Sequence, residues 1–155
     1  MSSEIALRQA LREARALGDA SAAPARTLQD SLLPPSPPKV PGLDVAAVYL
    51  PGEAGADVVG DFYDLFRTRG KSWCAVMGDV CGKGMDAAKV TAPARYTVRA
   101  EATQHASPAA VLHRLHEAMT EQRLGDRFLT AALAVFRPDA HGITEHVASA
   151  GHPPR

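Results

Sequence analysis

The sequence predicts an α+β protein in which antiparallel strands pack against helices. Apolar, β-rich runs come in pairs joined by short turn sequences, at 58–80 and again at 128–148. Between these pairs lie two stretches with helical signals, at about 84–103 and 107–123. Strand pairs that enclose a helix pair are typical of an antiparallel sheet covered by helices.

The composition is that of one globular domain. The chain has 155 residues, of which 46% are apolar and 22% charged, enough to bury a core. Seventeen basic and seventeen acidic residues cancel, which argues against nucleic acid or an anionic membrane as partner. No apolar run approaches the roughly 20 residues that span a bilayer. Cys74 and Cys81 lack CxxC spacing, so we expect no zinc site and a reduced, cytoplasmic setting.

Residues 1–41 are predicted to form a helical lead-in and a proline-rich linker. An amphipathic helix is predicted over 3–17 and a shorter one over about 24–33. The prolines between 34 and 41 then enforce an extended connector. Two alternatives stay open for the first helix, which either packs on the following domain or is exposed and forms a homodimer.

The domain itself is predicted to cover 42–155 and to begin with strands. The first is predicted over 43–50, followed by strands at 58–68 and 73–80. The sequence Arg-Gly-Lys-Ser at 69–72 has the composition of a hairpin turn between the last two.

A helix is predicted to open at the glycines of 82–84 and to run to about Thr103. Pro93 falls inside it, where proline costs roughly 3 kcal/mol or more unless a kink is accommodated. We therefore expect either a bend at 90–93 or a helix that starts only there.

The second helix is predicted to begin at Ser107, because serine is a good N-cap and Pro108 suits the first helical position. It ends at about Arg123. A hairpin follows, with strands at 128–136 and 143–148 joined across a turn at 138–142.

Two of the predicted strands each carry an aspartate beside a glycine, Asp61 after Gly60 and Asp79 after Gly78. Neighbouring strands would bring both carboxylates together, where a hard divalent cation can bind. A charge within a strand is costly unless it is paired or bound to metal, and glycine permits close approach. The alternative is that both aspartates cap turns, as aspartates beside glycine commonly do.

The glycine-rich segment 78–84, GDVCGKG, is not a Walker phosphate loop. A Walker loop needs four residues between its glycines and a Ser or Thr after its lysine. Here three residues separate Gly78 from Gly82, and Gly84 follows Lys83. Asp79 would repel a bare phosphate, but it becomes useful when cations stand between the two.

Five segments occur in the order found in one phosphatase family. They are LQDSLLP at 28–34, GDFYD at 60–64, GDVCGKG at 78–84, FLTAAL at 128–133 and AGHPP at 150–154. The chain therefore closely resembles the metal-dependent (PPM, type 2C-like) protein phosphatases, and among them the bacterial SpoIIE-type phosphatases that regulate sigma factors. The resemblance covers nearly everything from residue 28 onward.

The resemblance implies part of an α-β-β-α sandwich of antiparallel sheets, with two Mn²⁺ or Mg²⁺ ions at one edge. It implies that Asp79 bridges both ions, that the Val80 backbone carbonyl completes one shell, and that Asp61 serves one ion directly or through water. Two such cations activate a water and clamp the phosphoryl oxygens for in-line attack, so no catalytic side chain is implied beyond that water. The implied substrate is a phosphoserine or phosphothreonine protein, by analogy a STAS-type anti-anti-sigma regulator.

Other residues near the motifs have open roles. Lys83 either screens the substrate phosphate or is a solvated lysine, and His152 either faces the substrate or stabilises its turn. Asp64 is expected on the opposite strand face from Phe62, in a structural role. Cys81 is expected to be a packing residue.

The sequence also departs from the family pattern. Val59 stands where glycine is common in the family, and Lys83 where histidine is frequent. Two further aspartates that the family carries after the AGHPP segment have no counterpart before Arg155. We therefore expect a chain truncated at its C-terminal side, and the alternative function is a catalytically inactive regulatory or interaction fragment.

Overall fold

A four-stranded antiparallel sheet carries two helices on one face. The computed structural model describes residues 33–34, 36–49, 59–122 and 127–153. The elements in chain order are β1 Val59–Arg67, β2 Trp73–Lys83, α1 Met85–Gln104, α2 Pro108–Glu121, β3 Leu129–Asp139 and β4 Gly142–Ala150. The helix predicted over 3–17, with its proposed dimer contact, and all but the end of the helix predicted over 24–33 lie outside the described residues.

The sheet has the strand order β1-β2-β3-β4, and each neighbouring pair is antiparallel. Helix α1 packs on β1 and β2, whereas α2 packs on β3, β4 and α1. The α+β prediction is confirmed, and the described part of the chain forms one such sheet with its helices.

The core lies between the helices and one face of the sheet. Alternate residues of each inner strand point into it, because successive side chains of a strand lie on opposite faces. The fully or nearly buried members include Phe62, Cys74, Val76, Val80, Val90, Ala94, Val98, Val111, Leu115, Ala131 and Leu133. The opposite face is more exposed, with Met77 at 54% and Val147 at 62% of their maximal accessible area.

Both predicted hairpins are confirmed. In the first, the Thr68 amide donates to the Ser72 carbonyl at 2.9 Å, and Gly70 adopts a φ of 62° that favours glycine. Strand β2 continues past the predicted end at Val80, as far as Lys83. The second hairpin turns between Asp139 and Gly142, where the Asp139 carboxylate accepts from the His141 amide at 2.8 Å.

Helix α1 runs without interruption through Pro93, so the alternative that it starts there is wrong. Proline removes one intrahelical donor. The helix nevertheless begins at Met85, because its buried face packs on the sheet on both sides of Pro93 through Val90 and Ala94. Helix α2 begins as predicted, with Ser107 Oγ accepting from the Ala110 amide at 3.4 Å.

The strand predicted over 43–50 is wrong for the described residues 43–49. These residues carry only an isolated bridge between Val40 and Leu43. An apolar, β-rich run indicates strand preference but not a partner, and in the described part of the chain no sheet edge pairs with 44–49. The segment instead lines a cavity against β1 and β2.

Asp64 lies on the same sheet face as Phe62, so the predicted opposite orientation is wrong. Residues two apart in a strand share a face, and Asp64, like Phe62, is only 2% exposed. The expectation of a structural role for Asp64 fits its buried position.

None of the described helices is both long and apolar enough to cross a membrane.

Candidate functional site

Asp61 on β1 and Asp79 on β2 are direct register partners across the ladder. Both residues are exposed, and both lie on the sheet face away from the helices. Directly opposed like charges destabilise a strand pair unless a cation lies between them. The structure thus brings the two carboxylates together as the strand pattern predicts, and their role as metal ligands stays a prediction.

Gly60 places Asp61 by allowing an irregularity in β1. The β1–β2 register shifts between Val59 and Asp61, as in a β-bulge. A side chain on Gly60 would overlap the Val80 carbonyl oxygen. Only glycine therefore permits this approach of the two backbones.

Gly78 has a different reason to lack a side chain. It is the register partner of Phe62, and a Cβ at Gly78 would overlap the Phe62 ring. The buried Phe62 ring thus occupies the space that a side chain on Gly78 would need. Gly60 thus allows the close approach of two backbones, and Gly78 makes room for the Phe62 ring.

Val80 anchors the strand next to Asp79. Its side chain is 1% exposed in the core, which fixes the position of its backbone. The following residue is also held, because the Cys81 amide donates to the Phe128 carbonyl at 2.9 Å. The use of the Val80 carbonyl as a metal ligand stays a prediction.

The donor set of the described residues suits part of a hard-cation shell. In the part of the chain that the structure describes, no group of three or more His, Cys, Asp or Glu side chains could hold a metal. Asp61, Asp79 and the Val80 carbonyl offer oxygen donors alone. Mg²⁺ and Mn²⁺ prefer oxygen and Mg²⁺ keeps several waters, whereas zinc sites need three or four nitrogen, sulfur or carboxylate ligands.

His152 lies beside this pair through its contact with β3. Thr130 Oγ1 is 3.0 Å from His152 Nδ1, and Thr130 is the register partner of Asp79. His152 and Asp61 both line a cavity of about 560 Å³ together with residues 45–49. Thr130 is not among the predicted site residues, although its position in the FLTAAL segment of a predicted strand is a usable signal.

Lys83 is the last residue of β2, where it pairs with Val59. Its backbone therefore lies four residues beyond Asp79 along the strand. Its role toward a substrate phosphate stays a prediction.

Arg127 is a second residue near the site that is absent from the predicted set. Its Nη1 donates to the Cys81 carbonyl at 3.0 Å, and its Nη2 lies 3.4 Å from Asp86 Oδ2 in the first turn of α1. A side chain on Gly82 would overlap the guanidinium. Arg127 thus ties the end of β2 to the start of α1, and no local sequence signal marks such a long-range contact.

A buried ionic cluster fastens α1 to β1 three residues beyond Asp61. Asp64 accepts from Arg95 Nε at 2.9 Å and from Arg99 Nε at 2.6 Å, and a second Arg99 bond reaches Oδ1 at 2.9 Å. Arg99 also stacks on the Phe66 ring, 4.7 Å from its centroid. The spacing Arg95 to Arg99 puts both cations on one helix face.

The cluster and its burial shift the pKa values of Asp64 and of the neighbouring Cys74. Burial of Asp64 opposes ionisation, but the hydrogen bonds from Arg99 and Arg95 outweigh it and lower the pKa of the carboxyl. Burial, with the nearby Asp64 carboxylate, raises the pKa of the Cys74 thiol to about 12. Cys74 is therefore an inert packing residue.

Comparison with known proteins decides the family. The family model for stage II sporulation protein E (SpoIIE) matches residues 69–155, more than half of the chain. The chain belongs to the SpoIIE family. This match begins after Asp61 and covers the segments that carry its register partner Asp79, Thr130 and His152.

Two relatives illustrate the relationship. The phosphoserine phosphatase RsbU of Bacillus subtilis (strain 168) is 28% identical over 130 residues, which cover 84% of this chain and 37% of RsbU. The SiaA-PP2C domain of Pseudomonas aeruginosa is similar in fold, with a TM-score of 0.53 at 17% identity, over 88% of this chain and 61% of that domain. The fold is thus partly that of a PP2C domain, and the chain spans about a third of RsbU.

Proposed function

We propose that this SpoIIE-family chain acts in a metal-dependent protein phosphatase that hydrolyses phosphoserine or phosphothreonine on a protein. The observation that carries the proposal is the register pairing of Asp61 with Asp79 within two of the family's motifs. The name of the relative RsbU, a phosphoserine phosphatase, supports the reaction class.

In this proposal the chain supplies oxygen ligands to a pair of Mn²⁺ or Mg²⁺ ions. Asp79 would serve both ions, the Val80 carbonyl would supply a ligand to one of them, and Asp61 would hold one ion directly or through water. The bound ions supply an activated water and neutralise phosphoryl charge. Lys83 and His152 are the candidates for contact with the substrate.

We also propose a STAS-type regulator of sigma-factor signalling as the protein substrate, in the cytoplasm. The family resemblance of the five motifs supports this substrate class. The even balance of charges in the chain gives no reason to add nucleic acid or a membrane surface as a partner.

The second candidate is a catalytically inactive regulatory or interaction fragment of such a phosphatase. It is favoured by the ligand count, because the site described here draws two carboxylates from the chain, and Mg²⁺ prefers six oxygen ligands. The two candidates differ in turnover rather than in fold.

The purified 155-residue chain distinguishes them when assayed with Mn²⁺ on a phosphoserine protein and on p-nitrophenyl phosphate. Metal-dependent turnover that Asp79→Asn abolishes supports the phosphatase. Glu145→Gln is the matched control, since Glu145 is an exposed acid on β4 distant from the aspartate pair along the strands. Ion binding without turnover supports the inactive fragment, and turnover that survives in Asp79→Asn contradicts the bridging role.

A further inference from the structure

A polar row crosses the sheet on the face away from the helices and ends at His152. Asp61 pairs with Asp79, and Asp79 pairs with Thr130 on the next strand. Directly opposed residues of antiparallel strands project from the same face. Since Thr130 Oγ1 lies 3.0 Å from His152 Nδ1, the row joins both carboxylates to an imidazole.

The backbone of His152 is held independently of its ring. Ser149 Oγ donates to the His152 carbonyl at 2.8 Å, and a bridge between Ala131 and Gly151 keeps the segment beside β3. Among the residues that the structure describes, Thr130 is the hydrogen-bond partner of the imidazole, through Nδ1. Nε2 is then the ring nitrogen left for a ligand.

The surroundings of His152 indicate the chemical class of that ligand. His152 is only partly exposed and lines the same cavity of about 560 Å³ as Asp61. Either partner of this contact can donate, and where the threonine hydroxyl donates to Nδ1, the ring proton is on Nε2. In the proposed site the two carboxylates hold divalent cations. An Nε2–H donor beside those cations suits an anionic ligand such as a phosphate group, which can bind to the cations and accept the hydrogen bond.

We infer that the Thr130 hydroxyl donates to His152 Nδ1, and that Thr130 is thereby a positioning residue that orients His152 so that Nε2–H donates to a phosphoryl oxygen of the substrate. The inference rests on the proposed function, because the aspartate pair attracts phosphate only through bound cations. It adds Thr130 to the site and separates the two alternatives for His152, since a merely turn-stabilising histidine needs no fixed tautomer. The hydrogen bond that one ring nitrogen of a histidine makes sets which nitrogen carries the proton.

The test measures the affinity of the full 155-residue chain for inorganic phosphate, which serves as the probe. The chain is first saturated with Mg²⁺. Thr130→Val removes the hydroxyl and keeps the branched shape, whereas Thr130→Ser keeps the hydroxyl. We expect Thr130→Val to weaken phosphate binding about tenfold, the size of a hydrogen bond to a charged group. Thr130→Ser should stay within about twofold, and Mg²⁺ affinity should not change in either variant.

Two further measurements make the test specific. The nitrogen-15 NMR spectrum of His152 should show one tautomer in the wild type and a mixture in Thr130→Val. His152→Ala should lose as much phosphate affinity as Thr130→Val, and the double variant should lose no more than His152→Ala. Thr144→Val, an exposed threonine on β4, is the matched control and should behave as wild type.

The possible failures are distinguishable. Unchanged phosphate binding in Thr130→Val, with Mg²⁺ still bound, overturns the inference and leaves the proposed function standing. An equal loss of Mg²⁺ affinity in that variant also overturns it, because Thr130 would then act through Asp79. A wild-type chain that binds no divalent ion contradicts the proposed function and this inference together.

Discussion

Asp61 and Asp79 face each other directly across the β1–β2 ladder, and both are exposed on the same face of the sheet. Two carboxylates in this relationship repel each other in the absence of a cation. The pair therefore links the stability of the sheet to the occupancy of the proposed ion site.

This link predicts that Asp79→Asn changes stability in opposite directions with and without metal. Without divalent ions the variant should be more stable than wild type by about 0.5 kcal/mol, since the repulsion is relieved. With Mn²⁺ at a hundredfold excess over its Kd, wild type should gain about 2.7 kcal/mol that the variant lacks. Urea unfolding with and without Mn²⁺ measures both effects, and an equal Mn²⁺ gain in both proteins would contradict the pairing as an ion site.

The ionic cluster predicts a large loss of stability in Asp64→Asn. The change removes the charged acceptor that Arg95 Nε and Arg99 bind at Asp64, at a position where the Arg95 side chain is only 8% exposed. Breaking one partner of a buried pair costs about 3 kcal/mol or more. Denaturant unfolding should show this loss, while Glu117→Gln, which breaks an exposed pair with Arg114, should leave the midpoint unchanged.

The lowered pKa of Asp64 predicts acid sensitivity with a definite sign. A depressed folded-state pKa stabilises the protein above the unfolded pKa of about 3.9, and the contribution is lost as the pH falls through the folded-state pKa. Wild type should therefore lose stability more steeply than Asp64→Asn below about pH 4. Urea midpoints measured from pH 6 down to acid unfolding test this, and parallel curves for the two proteins would refute it.

Gly60→Ala should damage both stability and ion binding. A side chain there overlaps the Val80 carbonyl, so β1 and β2 must separate at the bulge, at a cost of about 1–3 kcal/mol. Gly70→Ala is the control, because its Cβ meets open space and only its positive φ opposes the change. Calorimetric titration with Mn²⁺ should show weaker binding in Gly60→Ala alone, and equal affinities would show that the bulge does not place the ligands.

The two cysteines should differ in reactivity. Cys74 is fully buried and its pKa is raised to about 12, so almost no thiolate exists near pH 8. Cys81 is half-buried. Iodoacetamide followed by mass spectrometry should label Cys81 in the native protein and both cysteines in urea, whereas equal labelling of both in the native protein would contradict the buried position of Cys74.

Elements with local signals could be predicted from the sequence. The turn at 69–72 and the cap at Ser107 depend on residues a few positions apart, and the structure contains both. The pairing of Asp61 with Asp79 followed from two strands joined by one short turn. These features need no knowledge of distant parts of the chain.

Features that depend on distant partners could not be predicted in this way. The segment 43–49 has strand-like composition, but strand formation needs an edge to pair with, and composition does not reveal one. Arg127 reaches Cys81 across 46 positions, and Asp64 reaches Arg95 across 31. The face of Asp64 is a separate case, because the alternation of side chains along β1 is enough to place it with Phe62, contrary to the prediction.

The strand order of the sheet also bears on how the protein folds. Every ladder joins strands that are consecutive in the chain, and each hairpin closes a short loop. Hairpins of this kind form within about 1–10 μs, whereas the β2–β3 ladder closes a much longer loop that contains both helices and is therefore expected to form more slowly. We expect Asp61 and Asp79 to meet early in folding, before the half of the sheet that carries Thr130 and His152 is in place.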